Sequence, residues 1–386
     1  MPRTLAPKSV LLAFRSFIPA LVALTPAFAQ PPAHPPHFSP PRLIESPYGL
    51  TTFGTDINDR NVVVGVFGVA QTDRAFAWSR SMGFVELPPT TDQTFSSANA
   101  INECGEIAGE ANLAANASGH AVVWHAFEEV EDLGTLGGAG SGAFAINDRG
   151  NVAGTAQTTV IGESRPFLWT REQGMRDLGS LGGRTGIARA MNNHDEVVGN
   201  SDNASDDQHA QHAFYWSART GMIDLGTGGF DTSSASGIND DGVVVGVVSS
   251  NLGETARAFK WTLRGGMVLL PDLGNQFGFA QGINDRGQIV GEAIDDAGAR
   301  RATLWLRGKR AYNIDPSTGI SSGARTINSR GVVLGNAAFS NPNDVRAVLW
   351  RLEGADSADR QVEWASEIDD PAELPHRTVD VGSPHP

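Results

Sequence analysis

The stretch Ser141-Gly142-Ala143-Phe144-Ala145-Ile146-Asn147-Asp148-Arg149-Gly150-Asn151-Val152-Ala153-Gly154 decides the fold, because its pattern returns along the whole chain. The Ile146-Asn147 pair has counterparts at Ile57-Asn58, Ile101-Asn102, Met191-Asn192, Ile238-Asn239, Ile283-Asn284 and Ile327-Asn328, at intervals of 44 to 47 residues. Eight positions after each apolar member stands glycine: Gly65, Gly109, Gly154, Gly199, Gly246, Gly291 and Gly335. Each copy then closes a segment with tryptophan, at Trp78, Trp124, Trp169, Trp216, Trp261, Trp305 and Trp350. A fixed period of this length is the signature of a repeat architecture, in which each copy is one supersecondary unit.

Each mark has a physical reading. Four residues after the apolar member come Asn61, Gly105, Gly150, Asp195, Gly242, Gly287 and Gly331, the residue types that tolerate positive φ in a tight hairpin. The apolar–Asn pair therefore ends one strand, and Asn151-Val152-Ala153-Gly154 begins a second. Arg165-Pro166-Phe167-Leu168-Trp169 reads as a third strand, and Gly174-Met175-Arg176-Asp177-Leu178 contains a fourth. Four short strands per unit of about 45 residues make one propeller blade. The fold class expected is thus all-β, a seven-bladed β-propeller, with an open β-helix or solenoid as the competing arrangement.

Two features favour closure. Positions five, three and one before each Ile or Met alternate, so they share a strand face. They are almost all small, as in Ser96, Ala98, Ala100 and in Gly186, Ala188, Ala190. Crowding where blades converge on an axis accounts for that; an open solenoid has no such crowding. Second, Asp132-Leu133, Asp177-Leu178 and Asp224-Leu225 stand 14 and 13 residues before the next apolar–Asn pair, and the same count back from Ile57 reaches Leu43-Ile44. This N-terminal segment can complete the blade that holds Trp350 and so remove the open edges that invite aggregation. Gln361 to Ile368, with Trp364, is a second candidate for that place.

Outside the repeats the chain changes character. Arg3, Lys8 and Arg15, the apolar run Phe17 to Leu24 and the small residues Ala27-Phe28-Ala29 read as a secretory signal over residues 1–29. Residues 30–41 form a proline-rich linker, residues 42–369 hold the seven repeats, and residues 370–386 read as a flexible tail. Removing 1–29 leaves 26 basic against 43 acidic residues, a net charge of about −17. A surface of that sign repels phosphate backbones and anionic lipid, which excludes nucleic acid and, after signal cleavage, a membrane as partners. Cys104 is the one cysteine, so no intrachain disulfide supports the fold even in an oxidising compartment, and packing must do so.

His212-Ala213-Phe214-Tyr215-Trp216, Gly174-Met175-Arg176-Asp177-Leu178, Asp132-Leu133-Gly134-Thr135-Leu136-Gly137-Gly138 and Ala145-Ile146-Asn147-Asp148-Arg149-Gly150 resemble the HAF-repeat family of extracellular proteins. The resemblance covers roughly residues 42–350 and implies secretion and a repeat architecture; it carries over no catalytic residue. Most copies depart from the His-Ala-Phe signature: Arg74, Arg165, Arg257, Arg301 and Arg346 replace a histidine that only His120 and His212 keep.

The residue four before every repeat tryptophan is therefore always basic. Equal in all copies, it reads as a structural polar network, with the Asn of the apolar–Asn pair and the following acid as expected partners. The seven tryptophans read as packing between blades rather than a sugar-stacking track. Metal-capable groups gather in the fourth copy, where twelve residues separate Gly199 from His212 and His194, Asp206, Asp207 and His209 stand close in sequence. Yet His209 and His212 would point to opposite faces of a strand, and a solvated acidic hairpin is the simpler reading; no metal, cofactor or catalytic group is expected. The functional expectation is a secreted, non-catalytic propeller that binds an extracellular protein or polysaccharide through its variable loops. Its alternatives are a hydrolase or lyase acting at the channel and a structural component of the envelope or matrix.

Overall fold

In the computed structural model the described residues are 36–353, apart from 70–71, 89–94, 113–117, 205–210, 251–254, 307, 316–319 and 340–343. The expected signal segment, most of the expected linker and the chain beyond Glu353, with its Trp364 candidate strand, lie outside them. Among the described residues all regular structure is β, and no helix is long and apolar enough to cross a membrane.

Seven four-stranded antiparallel blades follow one another along the chain, at 52–86, 96–132, 137–177, 182–224, 232–269, 274–313 and 321–353. Blade 3 shows the plan. Its innermost strand Gly137–Ile146 pairs with Val152–Thr158, that with Ser164–Thr170, and that with the outermost Gly174–Asp177. The tight turn after each apolar–Asn pair has its positive-φ residue where the sequence placed it, from Asn61 at 58° to Gly105 at 86°.

Blade 7 supplies only three strands from its own repeat. The fourth is Arg42–Ile44, antiparallel to Val345–Glu353 with Ile44 opposite Ala347, and His37–Phe38 pairs further along the same strand. The N-terminal segment reached by counting thus joins the two ends of the ring. This pairing rules out the β-helix.

Seven apolar clusters fill the seven seams between blades. Trp169 packs with Ala108, Ala121 and Leu133 of blade 2, and Trp305 with Val245, Ala258 and Leu270 of blade 5. The closing seam brings Ile44, Val332 and Leu349 of blade 7 against Ile57 and Phe76 of blade 1. There Trp78 is only half-buried, and the Arg42 guanidinium lies 5.2 Å from its ring centre.

The small residues five and three before the apolar position serve these seams rather than the axis, which corrects the reading made from alternation in part; those one before it do face the axis. Ala98, Ala143, Ala188 and Ala235 are fully buried against the preceding blade. Five before the apolar residue, the Ser96, Ser141, Ser233 and Ser322 hydroxyls accept the backbone N–H of Ala75, Ala121, Ala213 and Ala302 across the seam, at 2.8 to 3.1 Å. Thr52 does the same for Ala347 at the closing seam. Blade 3 has Pro166 at the donor position, with no N–H to give, and the facing residue is Gly186, where an added Cβ would meet Pro166 Cδ at 2.9 Å.

Candidate functional site

Two rings of residues surround the axis near the end of the innermost strands. The first is built by the asparagines of the apolar–Asn pairs, all buried. Each side-chain amide donates to the backbone carbonyl of the next asparagine: Asn58 to Asn102, Asn102 to Asn147, Asn147 to Asn192, Asn192 to Asn239, Asn239 to Asn284 and Asn284 to Asn328. Asn328 donates to Asn58 at 3.1 Å and closes the circle. The Oδ1 atoms meanwhile hold the turns, as Asn147 accepts the N–H groups of Arg149 and Asn151, both at 3.1 Å.

The residue after each asparagine adds a second circuit. The Asp59 N–H donates to the Glu103 carboxylate, Glu103 to Asp148, Asp148 to the side-chain Oδ1 of Asn193, Asn193 to Asp240, Asp240 to Asp285, and Ser329 back to Asp59. These carboxylates crowd one another at the mouth. Burial raises the Glu103 pKa above its ordinary value, and the charges of Asp59 and Asp148 push the same way.

The seven basic residues sit at the far end of the blades from this rim, so their expected partners are corrected. Arg165 lies opposite Ala156 whereas Trp169 lies opposite Val152, next to the turn; four strand residues are about 13 Å, too far to reach Asn147. Their actual partners are acids of the outermost strand, of the adjoining loops or, for Arg301, of the end of the second strand. His120 meets Asp132 at 3.1 Å and His212 meets Asp224 at 2.8 Å, while Arg74 faces Glu86 at 3.8 Å. Arg165 pairs with Glu163, Arg257 with Asp272, Arg301 with Asp295 and Arg346 with Asp344. Arg346 also reaches Glu45 of the N-terminal closing segment at 3.5 Å.

Of the metal-capable residues, Asp206, Asp207 and His209 lie outside the described residues. His194 stands on the turn of blade 4, its N–H donating to Asn192 Oδ1 at 3.0 Å. Among the described residues no three His, Cys, Asp or Glu side chains converge as a metal site would need.

The second ring is one the sequence reading missed. In every innermost strand the pairing register slips between positions three and one before the apolar residue, as at Ala143/Ala145 and Ala188/Ala190. Such a bulge sets two residues of one strand against one of its neighbour and re-aims a side chain. Alternation therefore fails, and the extra residue, two before the Ile or Met, joins the channel wall. Thr55, Asn99, Phe144, Arg189, Ser236, Gln281 and Arg325 line a central cavity of about 390 Å³ together with their following residues.

This wall is chemically uneven. Asn99 donates to the Ala143 carbonyl at 2.8 Å and Thr55 to that of Ala98 at 2.8 Å, so both are engaged between blades. Asp56 replaces the small residue of other blades; it accepts the N–H groups of Ile57 at 2.9 Å and Ile101 at 3.0 Å. Burial nevertheless lifts its pKa to about 6. Arg189 Nε donates to Asn200 Oδ1 at 2.9 Å, and the Asn200 amide in turn donates to Gln211 at 2.9 Å. Burial, then the nearby charge of Arg325, lowers the Arg189 pKa.

No protein-family model matches the chain, and no curated protein matches it. Solved structures do, at low identity. The chain is similar to virginiamycin B lyase from Staphylococcus aureus, with 11% identity and a TM-score of 0.53 over 82% of this chain and 100% of that one. It is similar also to the β-propeller domain of the trilobed protease from Pyrococcus furiosus, at 10% identity and a TM-score of 0.50 over 78% of this chain and 93% of that domain. TolB from Acinetobacter baumannii aligns at 11% identity and a TM-score of 0.44; the chain spans 62% of its length, less than two thirds. The likenesses to the lyase and to the protease domain show the propeller fold, and identity this low carries nothing about activity.

Proposed function

We propose that this is an exported binding propeller, non-catalytic, which takes an extracellular protein or polysaccharide on the loop face and at the channel. The observation that supports this reading is the division of labour between positions. The asparagines and tryptophans that every copy shares join neighbouring blades, and the shared basic residues are paired with acids, most within their own blade. Side chains free to differ collect on the channel wall and in the loops of unequal length that leave the other end of the strands. Loops and variable side chains on a rigid scaffold are where recognition resides.

Catalysis at the channel is the weaker reading. Asp56 is the acid of the wall whose pKa lies near neutrality, but both its oxygens accept backbone N–H groups, so it is committed to the fold rather than poised for proton transfer. The leader Ala27-Phe28-Ala29 supports export. The test is capture from an extracellular fraction, together with a glycan array, each followed by an assay for cleavage of the captured polymer. Retention without turnover is expected. Turnover that scales with protein concentration would replace this reading with the hydrolase or lyase one.

A further inference from the structure

We infer that Arg189 and Arg325 form a subsite for a single carboxylate group inside the channel. The inference rests on the binding reading above and sharpens it to a ligand chemistry. Both arginines occupy the bulged position of their strands and line the same cavity. Arg189 is fixed by its Nε bond to Asn200, and its two terminal nitrogens have no protein partner among the described residues. The Arg325 guanidinium makes no hydrogen bond or ion pair among them, and the charge of Glu292 acts on it only at longer range. The basic residues on the outer part of the blades are, by contrast, all set against acids.

The acids near the channel do not neutralise this pair. Glu292 is held by Arg300 at 3.1 Å, and the Asp56 oxygens are taken by Ile57 and Ile101. Both side chains are exposed to the channel, their like charges repel, and neither forms an ion pair with an acid among the described residues; an anion between them offsets that repulsion. Burial first, and then the charge of Arg325, lowers the pKa of Arg189. Next to them Gln281 offers an amide that is likewise without a protein partner among the described residues.

The class of anion follows from shape and field. A guanidinium is a planar fork that matches a carboxylate through two parallel hydrogen bonds. A cavity of about 390 Å³ suits one small residue of a ligand rather than a length of polymer. The protein carries 43 acidic against 29 basic residues, so its field disfavours a polyanion and tolerates one buried negative group. A uronic acid at a sugar-chain end and the C-terminus of a peptide both present that group.

Titration calorimetry of the full chain with glucuronate, N-acetylglycine and glucose tests the assignment. Saturable binding of glucuronate is expected, with glucose silent and affinity lost tenfold or more in Arg325→Gln. Arg325→Gln should melt no lower than the parent, since it removes no protein contact; Arg189→Lys keeps charge but loses the fork and should also bind more weakly. N-acetylglycine binding in place of glucuronate supports the subsite and assigns a peptide carboxylate as its source. Absence of saturable binding by either carboxylate, or equal affinity in Arg325→Gln, overturns it. If a polymer captured from the extracellular fraction is retained equally by parent and Arg325→Gln, the subsite falls and the binding reading stands. If nothing is retained at all, both fall.

Discussion

Three residues apart, at the ends of the same seven strands, run two rings with opposite sequence behaviour. The asparagine ring holds one residue type seven times over. The bulge ring holds threonine, asparagine, phenylalanine, arginine, serine, glutamine and arginine. The difference lies in what each side chain is bonded to. An asparagine of the first ring joins its own turn to the backbone of the next blade, and no other side chain supplies a donor and an acceptor at that spacing without shifting the turn. A bulged residue projects towards the channel, where the fold asks less of it, although Thr55 and Asn99 there still bond to the next blade. Invariance here marks assembly, and variation marks the surface available for recognition.

The comparison breaks most visibly where shared residues are removed. Trp305 is fully buried in the seam between blades 5 and 6, and its indole N–H donates to the Pro271 carbonyl at 2.6 Å. Trp305→Ala should lower unfolding stability by about 3–5 kcal/mol, from lost burial and the cavity left behind. Trp78→Ala should lose less in the same denaturant titration, since that ring is half-buried at the closing seam. Equal losses would mean that the two seams are packed alike.

Asn192→Ala is the next largest perturbation. The residue donates to the Asn239 carbonyl at 3.0 Å and accepts the N–H groups of His194 and Glu196, both at 3.0 Å. The buried Asn239 carbonyl and two part-buried N–H groups lose their partner, a loss of about 2–3 kcal/mol. Arg325→Gln, on the neighbouring ring, should leave the melting temperature where it was. If both variants melt together, the contrast between assembly ring and recognition ring is wrong.

The sequence already carried much of this. The period, the positive-φ turn and the segment Leu43-Ile44 that completes blade 7 followed from spacing and residue type, because backbone sterics act locally. The partners of Arg74 through Arg346 did not, since they depend on which strand end a residue occupies. Nor did the channel wall, because one extra residue in each innermost strand reverses the face of everything before it. A signal for that bulge was present. Glycine eight residues after each apolar member stands in mid-strand, and a lone strand glycine marks a bulge or a close backbone approach. A Cβ on Gly154 would lie 2.0 Å from the Gly142 carbonyl oxygen, and the other six glycines meet the equivalent oxygen at 1.9 to 2.2 Å.

Gly186 offers a finer test of how seams and sequence fit. Gly186→Ser should destabilise by about 1–2 kcal/mol, because its Cβ meets Pro166 and its hydroxyl finds no N–H to accept. Adding Pro166→Ala restores both the space and the donor, so the double variant should recover most of the loss. A double-mutant cycle with no coupling would show that the serine bonds of the other seams are dispensable.

The smallest expected effect concerns a place where one copy departs from the rest without touching the channel. His125, just after Trp124, lies 3.4 Å from Glu106 and 3.0 Å from Glu131. The hydrogen bond to Glu106 raises the His125 pKa above its ordinary 6.5, with Glu131 adding to it, and lowers that of Glu106 in return. A raised histidine pKa means that the folded chain holds the proton longer than the unfolded one. Its stabilisation is complete below 6.5 and is lost as pH climbs through the folded value. The depressed Glu106 acts in the other direction, giving stability above its ordinary 4.5 that disappears as pH falls through the folded value. For partly exposed groups the sum is about 1 kcal/mol or less. His125→Gln should therefore flatten the alkaline flank of the stability profile. The asparagine ring, uncharged and unable to titrate, should hold its contribution across the same range, so a comparable alkaline loss in His125→Gln would point to the acidic circuit at the mouth instead.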